Sequence, residues 1–460
     1  MLVEPVGGVV NWKRGAPFVL LVGALLPGAG FVRPASAASA IPAWGTVASA
    51  PAGAFGELFG VAAPAADDAV AVGDARAVQP SGFLGRYTSY AEHWNGTTWA
   101  ATPVPAAATT YANPWSHLKS VAAAGRADSW AVGYVEDPSG FATKTLAYHW
   151  NGTAWLQAAT ANPGGTSAAN RLLDVAARAS NDVWAVGDYG NYPARSLLLH
   201  WNGTAWAQVA VPNAGTLTAV AVDATSVWVG GGSTVQRMTA TGWTTLPAQP
   251  QSSVYIRDLA VSAGQLWVAG STAYDLISGG VGYRSYASVW NGARWTVVGG
   301  AGQAVNGVAA TARGVVAAID AGTATLTATG GNTVEVTPVT QGVLNAVAVD
   351  PTGRTWAVGS NSTFDYTTYT GTTAPALITS PGIGQGGVVV AAGASGATVA
   401  TIGPDNVSFT ADPGGAAQRG GLHTGTYTVI TTLGGCTPGI ATVTVTAGVA
   451  TTVTAPVHCP

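Results

Sequence analysis

The sequence predicts an all-β protein made of tandem repeats, with a smaller all-β domain after them. Blocks ending in Trp-Ala-Val-Gly or a variant of it recur between residues 43 and 380, and Thr alternates with apolar residues beyond residue 388. The composition agrees, since only 8% of the 460 residues are charged while 62 are Gly and 17 are Trp. So little charge is expected where sheets are covered on both faces, because charged side chains are rarely buried.

The charge balance excludes several classes of protein. With 18 basic and 21 acidic residues, the formal net charge is -3 and no basic stripe is visible. Nucleic-acid binding needs clustered Lys and Arg to release counterions, so we expect no nucleic-acid partner. Disordered chains are highly charged and poor in Trp and β-branched residues, unlike this one. The chain is therefore expected to fold.

Residues 1–40 are predicted to be a secretory signal peptide. Lys13 and Arg14 precede an apolar run at 16–26, and Ala-x-Ala sites end at Ala37 and Ala40. A positive segment, a short apolar run and such a site form this signal. The run is shorter than the ~20 residues that span a bilayer. We expect a secreted, extracellular chain without a membrane span after cleavage.

The repeats contain two recurring blocks. The first occupies residues 118–133, 173–187 and 344–359, with weaker copies ending at Gly73, Gly230 and Gly270 and a degenerate copy at 315–318. The second, His-Trp-Asn-Gly-Thr-x-Trp, occupies residues 93–99, 149–155 and 200–206, with an altered copy at 289–295. Asn-Gly between alternating apolar positions predicts a type I′ hairpin, with positive φ at both residues.

Each repeat is thus interpreted as four strands, which in the second repeat are expected at 117–124, 128–135, 144–150 and 154–159. Seven such repeats predict a seven-bladed β-propeller over residues 41–383. The seventh repeat has no Trp-bearing fourth strand, whereas Trp44-Gly45-Thr46 has the pattern of one. We expect this N-terminal strand to complete the last blade, which would hide exposed sheet edges.

The D-x-W-A-V-G and H-W-N-G-T-x-W blocks resemble those of secreted bacterial propeller proteins of largely uncharacterised function. They are more distantly similar to Kelch and WD-type propellers, although the Gly-Gly doublet of Kelch blades and the Trp-Asp ending of WD blades are missing. The resemblance covers residues 43–380. It implies the propeller fold and does not imply an activity.

The C-terminal domain is predicted to be a β-sandwich over residues 388–460. Period-two strands are expected at 426–430, 441–446 and 451–454. This segment resembles the carboxypeptidase regulatory-like, transthyretin-like module, which would be structural or adhesive, and an immunoglobulin-like sandwich is the alternative. Cys436 and Cys459, the two cysteines of the chain, are expected to form a disulfide in an oxidising compartment.

The residues that could do chemistry have structural interpretations. His93, His149 and His200 occupy one position in three blades, so they are interpreted as structural, and Asp68, Asp128 and Asp182 are expected to cap turns through the backbone. Glu136 and Asp137 are interpreted as a solvated loop. We therefore predict no catalytic residues, no metal and no cofactor.

Function is expected in the loops after the Trp-Ala-Val-Gly strands, since loops on a rigid scaffold often bind ligands. Tyr, Arg and Asp there suit stacking on sugars or contacts with proteins. The predicted binding residues are Arg86, Tyr87, Tyr90, Asp137, Tyr189, Tyr192, Tyr274, Asp275, Tyr283, Arg284, Phe364 and Tyr366.

The sequence therefore predicts a monomeric, non-catalytic binding or adhesion protein whose partner is an extracellular glycan or protein. The alternatives are a polysaccharide-active hydrolase or lyase on the same scaffold, and a structural part of a larger surface assembly.

Overall fold

A computed structural model describes much of the chain after the predicted signal peptide, which itself lies outside the described residues. The described residues are 45–46, 55–77, 79–80, 84–138, 142–212, 215–276, 280–298, 305–311, 314–319, 322–326, 333–336, 342–365, 370–379, 385–403, 407–411, 415–423, 425–446 and 450–459. They form strands and turns. Across these ranges no helix has the length and hydropathy to span a membrane.

The repeat region is a series of short strands numbered here in chain order. They are β1 (Gly45–Thr46), β2 (Phe55–Ala65), β3 (Asp68–Arg76), β4 (Thr88–Trp94), β5 (Trp99–Ala101), β6 (Trp115–Gly125), β7 (Asp128–Glu136), β8 (Thr143–Trp150), β9 (Trp155–Ala158), β10 (Asn170–Ala179), β11 (Asp182–Tyr189), β12 (Arg195–Trp201), β13 (Trp206–Gln208), β14 (Ala219–Val222), β15 (Val227–Gly231), β16 (Thr234–Thr239), β17 (Gly242–Thr245), β18 (Val254–Ser262), β19 (Gln265–Leu276), β20 (Gly280–Trp290), β21 (Trp295–Val297), β22 (Val305–Thr311), β23 (Gly314–Ile319), β24 (Gly322–Leu326), β25 (Thr333–Val336), β26 (Gly342–Val349), β27 (Thr355–Asp365) and β28 (Thr370–Thr379).

These strands form repeated four-stranded antiparallel sheets. The strands pair in chain order within β6–β9, β10–β13, β14–β17, β18–β21 and β22–β25. This all-β, propeller-like architecture is the predicted class. The four strands expected in the second repeat are confirmed as β6–β9, with bounds that differ by one or two residues.

The first and last repeats share one sheet. Strands β26, β27 and β28 pair in order, and β28 also contacts β2 through a parallel pairing of Phe55 with Thr373. Strand β1 pairs antiparallel with β28, with Gly45 opposite Thr379. The prediction that the N-terminal strand joins the last repeat is confirmed at this pairing, while Trp44 lies outside the described residues.

The glycine of the Trp-Ala-Val-Gly block is required by a close approach of two strands. In β7, a Cβ added at Gly133 would overlap the backbone carbonyl of His117 on β6. The register shifts between Leu118 and Ser120, which marks a β-bulge at Lys119. A bulge leaves its extra residue unpaired and redirects its side chain. The block therefore encodes a specific backbone contact as well as a strand.

The predicted type I′ hairpin is wrong in detail. Trp150 pairs directly with Trp155, so the connection has four residues, and of the Asn-Gly pair only Gly152 has positive φ. The side-chain oxygen of Asn151 accepts hydrogen bonds from the backbone N–H of Thr153 at 3.0 Å and of Ala154 at 2.9 Å. Asn is favoured here because its side chain satisfies the turn amides locally.

The prediction that Asp residues at the start of the second strand cap turns through the backbone is also corrected. Asp128 lies 2.7 Å from Nε2 of His149, and the His149 ring stacks on Trp130 with centroids 4.6 Å apart. The same pairing joins Asp182 and His200 at 3.0 Å. The carboxylates bond to histidine because cross-strand pairing brings the two blocks together, which the local sequence does not show.

The C-terminal strands are β29 (Gln385–Ala391), β30 (Thr398–Ile402), β31 (Val407–Thr410), β32 (Ala416–His423), β33 (Gly425–Thr432), β34 (Gly439–Val445) and β35 (Ala450–Thr454). One sheet has the order β32-β29-β35 and the other β31-β30-β33-β34. Val390, Val399 and Tyr427 are fully buried in a core to which both sheets contribute. The predicted disulfide between Cys436 and Cys459 is confirmed.

Candidate functional site

A cavity of about 460 Å³ opens where the first two repeats meet. It lies at the ends of β2, β3, β6 and β7, on the side of the repeats that carries the loop after β3. Five aromatic side chains line it: Phe55, Phe59, Tyr87, Trp115 and Tyr134. Its volume is in the range of ordinary small-molecule sites, which combine apolar walls with a few polar groups.

The polar residues of the cavity occupy equivalent positions in the two repeats. Glu57 pairs with Asp74 across β2 and β3, just as His117 pairs with Tyr134 across β6 and β7. Asp74 follows the glycine of its block directly, and Tyr134 follows the corresponding Gly133. The same two strand ends are therefore paired in each of the first two repeats. The two pairs of ends face each other across the junction between the repeats.

The central polar contact joins His117 to Asp74. Nδ1 of His117 lies 2.6 Å from Oδ2 of Asp74, while Oδ1 of Asp74 accepts the backbone N–H of Leu118 at 3.1 Å. The Nζ of Lys119 lies 3.4 Å from Oδ2 of Asp74. An ionised carboxylate only accepts hydrogen bonds, so Nδ1 of His117 donates to Asp74.

The other ring nitrogen of His117 is buried in the wall of the cavity. His117 is only 6% exposed, and within the described residues its Nε2 has no hydrogen-bond partner. The closest charged group to Nε2 is Oε2 of Glu136, at 3.7 Å, which is beyond hydrogen-bond distance. Glu136 ends strand β7 and lines the cavity, so the earlier interpretation of it as a solvated loop residue is wrong.

Two cations already cover aromatic faces in the cavity. The Lys119 ammonium lies 3.8 Å from the centroid of Phe59, and the Arg76 guanidinium lies 4.6 Å from that of Tyr87. Arg76 Nε also donates to the carbonyl of Gly85 at 2.8 Å, which fixes the guanidinium in place. Cations are attracted to ring faces in this way, so both contacts hold the walls of the cavity.

Two of the predicted binding residues lie at this site. Tyr87 lines the cavity, with its ring centroid 5.0 Å from that of His117. Arg86 lines an adjoining cavity of about 350 Å³ together with Arg76 and Asn113, and donates to Asn113 Oδ1 at 3.4 Å.

Three other predicted residues lie on two paired strands of the fifth repeat, where they make separate contacts. The Arg284 guanidinium lies 4.2 Å from the ring centroid of Tyr274. Tyr283 is exposed and meets Tyr255 edge-on, with centroids 6.0 Å apart.

The remaining predicted residues are scattered. Tyr90 is half-buried and donates to Glu92 at 3.0 Å, and burial raises the pKa of Tyr90. Tyr189 packs against the core between the second and third repeats, whereas Tyr192 is fully exposed. Asp137 is partly buried, and its backbone N–H donates to Ala142. Asp275 and Phe364 belong to β19 and β27, and Tyr366 lies outside the described residues.

A second cavity, of about 350 Å³, is lined by residues of the first strand of every repeat and by Thr218, which precedes β14. Asp174 bridges three neighbours there, accepting from Ser120 Oγ at 2.7 Å and from the backbone N–H of Val175 and Val220 at 2.8 and 2.7 Å. Burial raises the pKa of Asp174 to about 6, although these hydrogen bonds oppose the shift. Burial and the Asp174 charge raise the pKa of Asp258 in the same cavity.

Sequence reasoning missed the residues at the centre of the first cavity. Asp74, His117 and Lys119 flank or interrupt the repeated block, which drew attention to the loops beyond it. A usable signal existed at the position after each block glycine, which varies while the block itself repeats: it is Asp74, Tyr134, Asp188 or Ser360. Among the described residues, no three His, Cys, Asp or Glu side chains are grouped so that they could hold a metal.

No family model matches the chain, and no curated protein matches it either. Solved structures do resemble it at low identity. The structure titled "YCF48 bound to D1 peptide" is 11% identical over 74% of this chain and 97% of its own, with a TM-score of 0.43. Virginiamycin B lyase from Staphylococcus aureus is 10% identical over 65% of this chain and 91% of its own, with a TM-score of 0.44. The RRP9 WD40 repeats are 10% identical over 68% of this chain and 89% of their own, with a TM-score of 0.46.

Proposed function

We propose that this protein is a secreted, non-catalytic binding protein whose ligand enters the cavity between the first two repeats. The observation that carries the proposal is the aromatic-lined cavity of about 460 Å³, in whose wall Asp74 holds His117. Aromatic walls combined with a few convergent polar groups are typical of ligand-binding cavities. The partner is an extracellular glycan or protein.

The scaffold for this site is proposed to be a closed seven-bladed propeller over residues 41–383. Three contacts support closure: the pairing of β1 with β28, the packing of Trp356 on Trp94, and a hydrogen bond of 2.9 Å from Asn345 Nδ2 to the carbonyl of Leu58. The second cavity also supports closure, because the first strand of every repeat contributes to it, as expected if the repeats surround one central axis. A rigid ring keeps the two halves of the binding cavity in register.

The C-terminal residues 388–460 are proposed to form a β-sandwich that acts as a spacer or adhesive module. The core shared by its two sheets supports this, and so does the disulfide, which is typical of extracellular proteins. Export by the predicted signal peptide and a monomeric state complete the proposal.

The alternative of a polysaccharide-active enzyme has one observation in its favour. An imidazole oriented by a carboxylate in the wall of a cavity, as His117 is by Asp74, is an arrangement that general bases use. Release of new reducing ends or unsaturated products from a polysaccharide panel, abolished in His117→Asn, would establish this alternative and overturn the non-catalytic proposal.

The binding proposal is tested with the purified mature chain on arrays of glycans and extracellular proteins. We expect at least one ligand whose binding is weakened about tenfold in Trp115→Ala and Tyr87→Ala. Leu156→Ala is the control, because this exposed side chain does not line the cavity and is not among the predicted binding residues, and it should bind as the unchanged protein does. If every detected interaction survives both cavity substitutions, the cavity is not the binding site.

A further inference from the structure

We infer that Asn291 is a site of spontaneous deamidation and that it converts faster than Asn95, Asn151 and Asn202, the asparagines in the same position of the first three repeats. Each of the four is followed by glycine. Two differences between the turn at Asn291 and its three counterparts single it out.

The reaction needs only the Asn-Gly pair and water. The backbone nitrogen of Gly292 bonds to Cγ of Asn291, the bond from Cγ to Nδ2 breaks, and Nδ2 leaves as ammonia with the proton of the glycine N–H. Water then opens the five-membered imide at either carbonyl carbon, which gives aspartate or isoaspartate. The step is intramolecular, and glycine has no Cβ to obstruct its nitrogen.

The four turns share one backbone geometry, which makes them comparable. In each turn the two flanking Trp residues pair directly, the glycine has a φ between 90° and 95°, and the asparagine is exposed. Within the described parts of the chain, none of the four glycine N–H groups donates a hydrogen bond. The attacking nitrogen is therefore available in all four.

The first difference is the number of hydrogen bonds that the asparagine oxygen accepts. Oδ1 of Asn151 accepts from the hydroxyl of Thr153 at 2.8 Å, besides the two backbone N–H groups of the turn. Threonine hydroxyls make the same bond, also at 2.8 Å, in the first and third repeats. In the fifth repeat Ala293 occupies this position, so Oδ1 of Asn291 accepts only from two backbone N–H groups, each at 3.0 Å.

These hydrogen bonds oppose the reaction. A nucleophile attacks a carbonyl carbon from outside the amide plane, so the asparagine side chain must rotate away from the position in which Oδ1 faces the turn amides. Each bond lost in that rotation adds to the barrier. Asn291 has one fewer to lose.

The second difference is the space around the glycine. A Cβ built on Gly152 would lie 2.5 Å from Cβ of Ala127, and the corresponding glycines of the first and third repeats meet a side-chain carbon at 2.9 Å. At Gly292 the same construction meets nothing within 4 Å, and residues 291–294 are all exposed. Solvent base therefore reaches the N–H of Gly292 more freely, and the turn has room to rearrange during ring closure.

The remaining Asn-Gly pair of the sequence, Asn306-Gly307, is not in a turn but in β22. Nδ2 of Asn306 donates to the carbonyl of Leu344 at 2.9 Å, and its Oδ1 accepts from Arg257 at 3.1 Å. With both ends of its amide held, Asn306 should convert more slowly than Asn291.

The experiment incubates the folded mature protein at mildly alkaline pH and follows the conversion of each Asn-Gly peptide by mass spectrometry after digestion. We expect Asn291 to convert about two- to tenfold faster than Asn151, the rate factor that corresponds to one hydrogen bond. Equal or slower conversion of Asn291 would overturn the inference.

The same measurement in denaturant separates the turn from the local sequence. Unfolding removes the hydrogen bonds and the shielding, so the rates at Asn291 and Asn151 should converge. If Asn291 leads by the same factor in the unfolded chain, the structure of the turn does not select it and the inference is wrong.

Two reciprocal variants test the hydroxyl directly. Ala293→Thr supplies the missing donor and should slow conversion of Asn291, whereas Thr153→Ala removes it and should speed conversion of Asn151. Both positions are exposed turn residues, so the fold should tolerate either change. Unchanged rates in both variants would contradict the inference.

Discussion

The indole rings of Trp356 and Trp94 pack with centroids 5.1 Å apart, although Trp356 belongs to the last repeat and Trp94 belongs to the first repeat. Trp99 completes this contact, with its centroid 5.2 Å from that of Trp356. Trp130 makes the equivalent contacts between the second and third repeats, with Trp201 at 4.6 Å and with Trp206 at 5.1 Å. The junction of first and last repeats therefore uses the same packing as an internal junction.

This relationship predicts an energetic coupling between Trp356 and Trp94. Each Trp→Ala substitution should destabilise the protein by about 3–5 kcal/mol, because it leaves a cavity in a packed core. The double variant should lose less than the sum, by about 0.5–3 kcal/mol, since the two rings are in contact. Denaturant unfolding of the singles and the double measures this. Trp356 with Trp206 is the control pair and should be additive; equal additivity for Trp356 with Trp94 would contradict closure at this junction.

Gly133 is predicted to tolerate no side chain. Gly133→Ala would push a methyl group into the carbonyl of His117, so the two strands must separate locally. We expect a loss of about 1–3 kcal/mol, the usual cost of overpacking. Gly125→Ala is the matched control, because an added Cβ there meets nothing within 4 Å. Thermal unfolding of the two variants compares them, and equal midpoints would contradict the close approach.

The turn of the second block is predicted to depend on one acceptor atom. Asn151→Ala removes the oxygen that accepts from Thr153 and Ala154, and should cost about 1 kcal/mol. Asn151→Asp keeps an acceptor in the same place and should cost less. Chemical denaturation of both variants decides the matter. If the Asp variant is as destabilised as the Ala variant, the side-chain acceptor is not what stabilises the turn.

Asp174 predicts a pH dependence of stability. Its pKa of about 6 in the folded protein is above the ordinary 3.8, so the folded state holds this proton more strongly than the unfolded state. The contribution is complete below the unfolded pKa and is lost as the pH rises through about 6. Between pH 4 and 7 the folded state loses about 2 kcal/mol of this contribution.

The test compares the free energy of unfolding of the unchanged protein and of Asp174→Asn across this range. The unchanged protein should lose more stability than the variant as the pH rises, because Asn cannot ionise. Parallel curves would show that Asp174 has the same proton affinity in both states.

Much of the fold was predictable because it repeats. The spacing of the two Trp-bearing blocks predicted four strands per repeat, and β6–β9 lie where they were expected. The Gly45–Thr46 strand was assigned to the last repeat from its pattern alone, and it pairs with β28. Local chemistry was less predictable, since both the hairpin type and the role of Asp128 depend on cross-strand contacts.

The candidate site was predicted only at its edge. Tyr87 and Arg86 were identified because they lie in a long loop, which is visible in sequence. Asp74 and His117 lie 43 positions apart in the chain and meet only when two repeats pack side by side. Pairing of that kind has no local pattern, and a lone histidine at a strand end resembles any other.

The sequence by itself determined the strand-forming blocks and the pairing of the two cysteines, because these depend on local periodicity and on counts of residue types. The tertiary structure decided which strand ends face each other, and so which side chains share a cavity. Lys119 illustrates the difference: a β-bulge, formed where Gly133 approaches the backbone of β6, sets the direction of its side chain, and packing of the first repeat against the second brings Phe59 and Asp74 to its ammonium group.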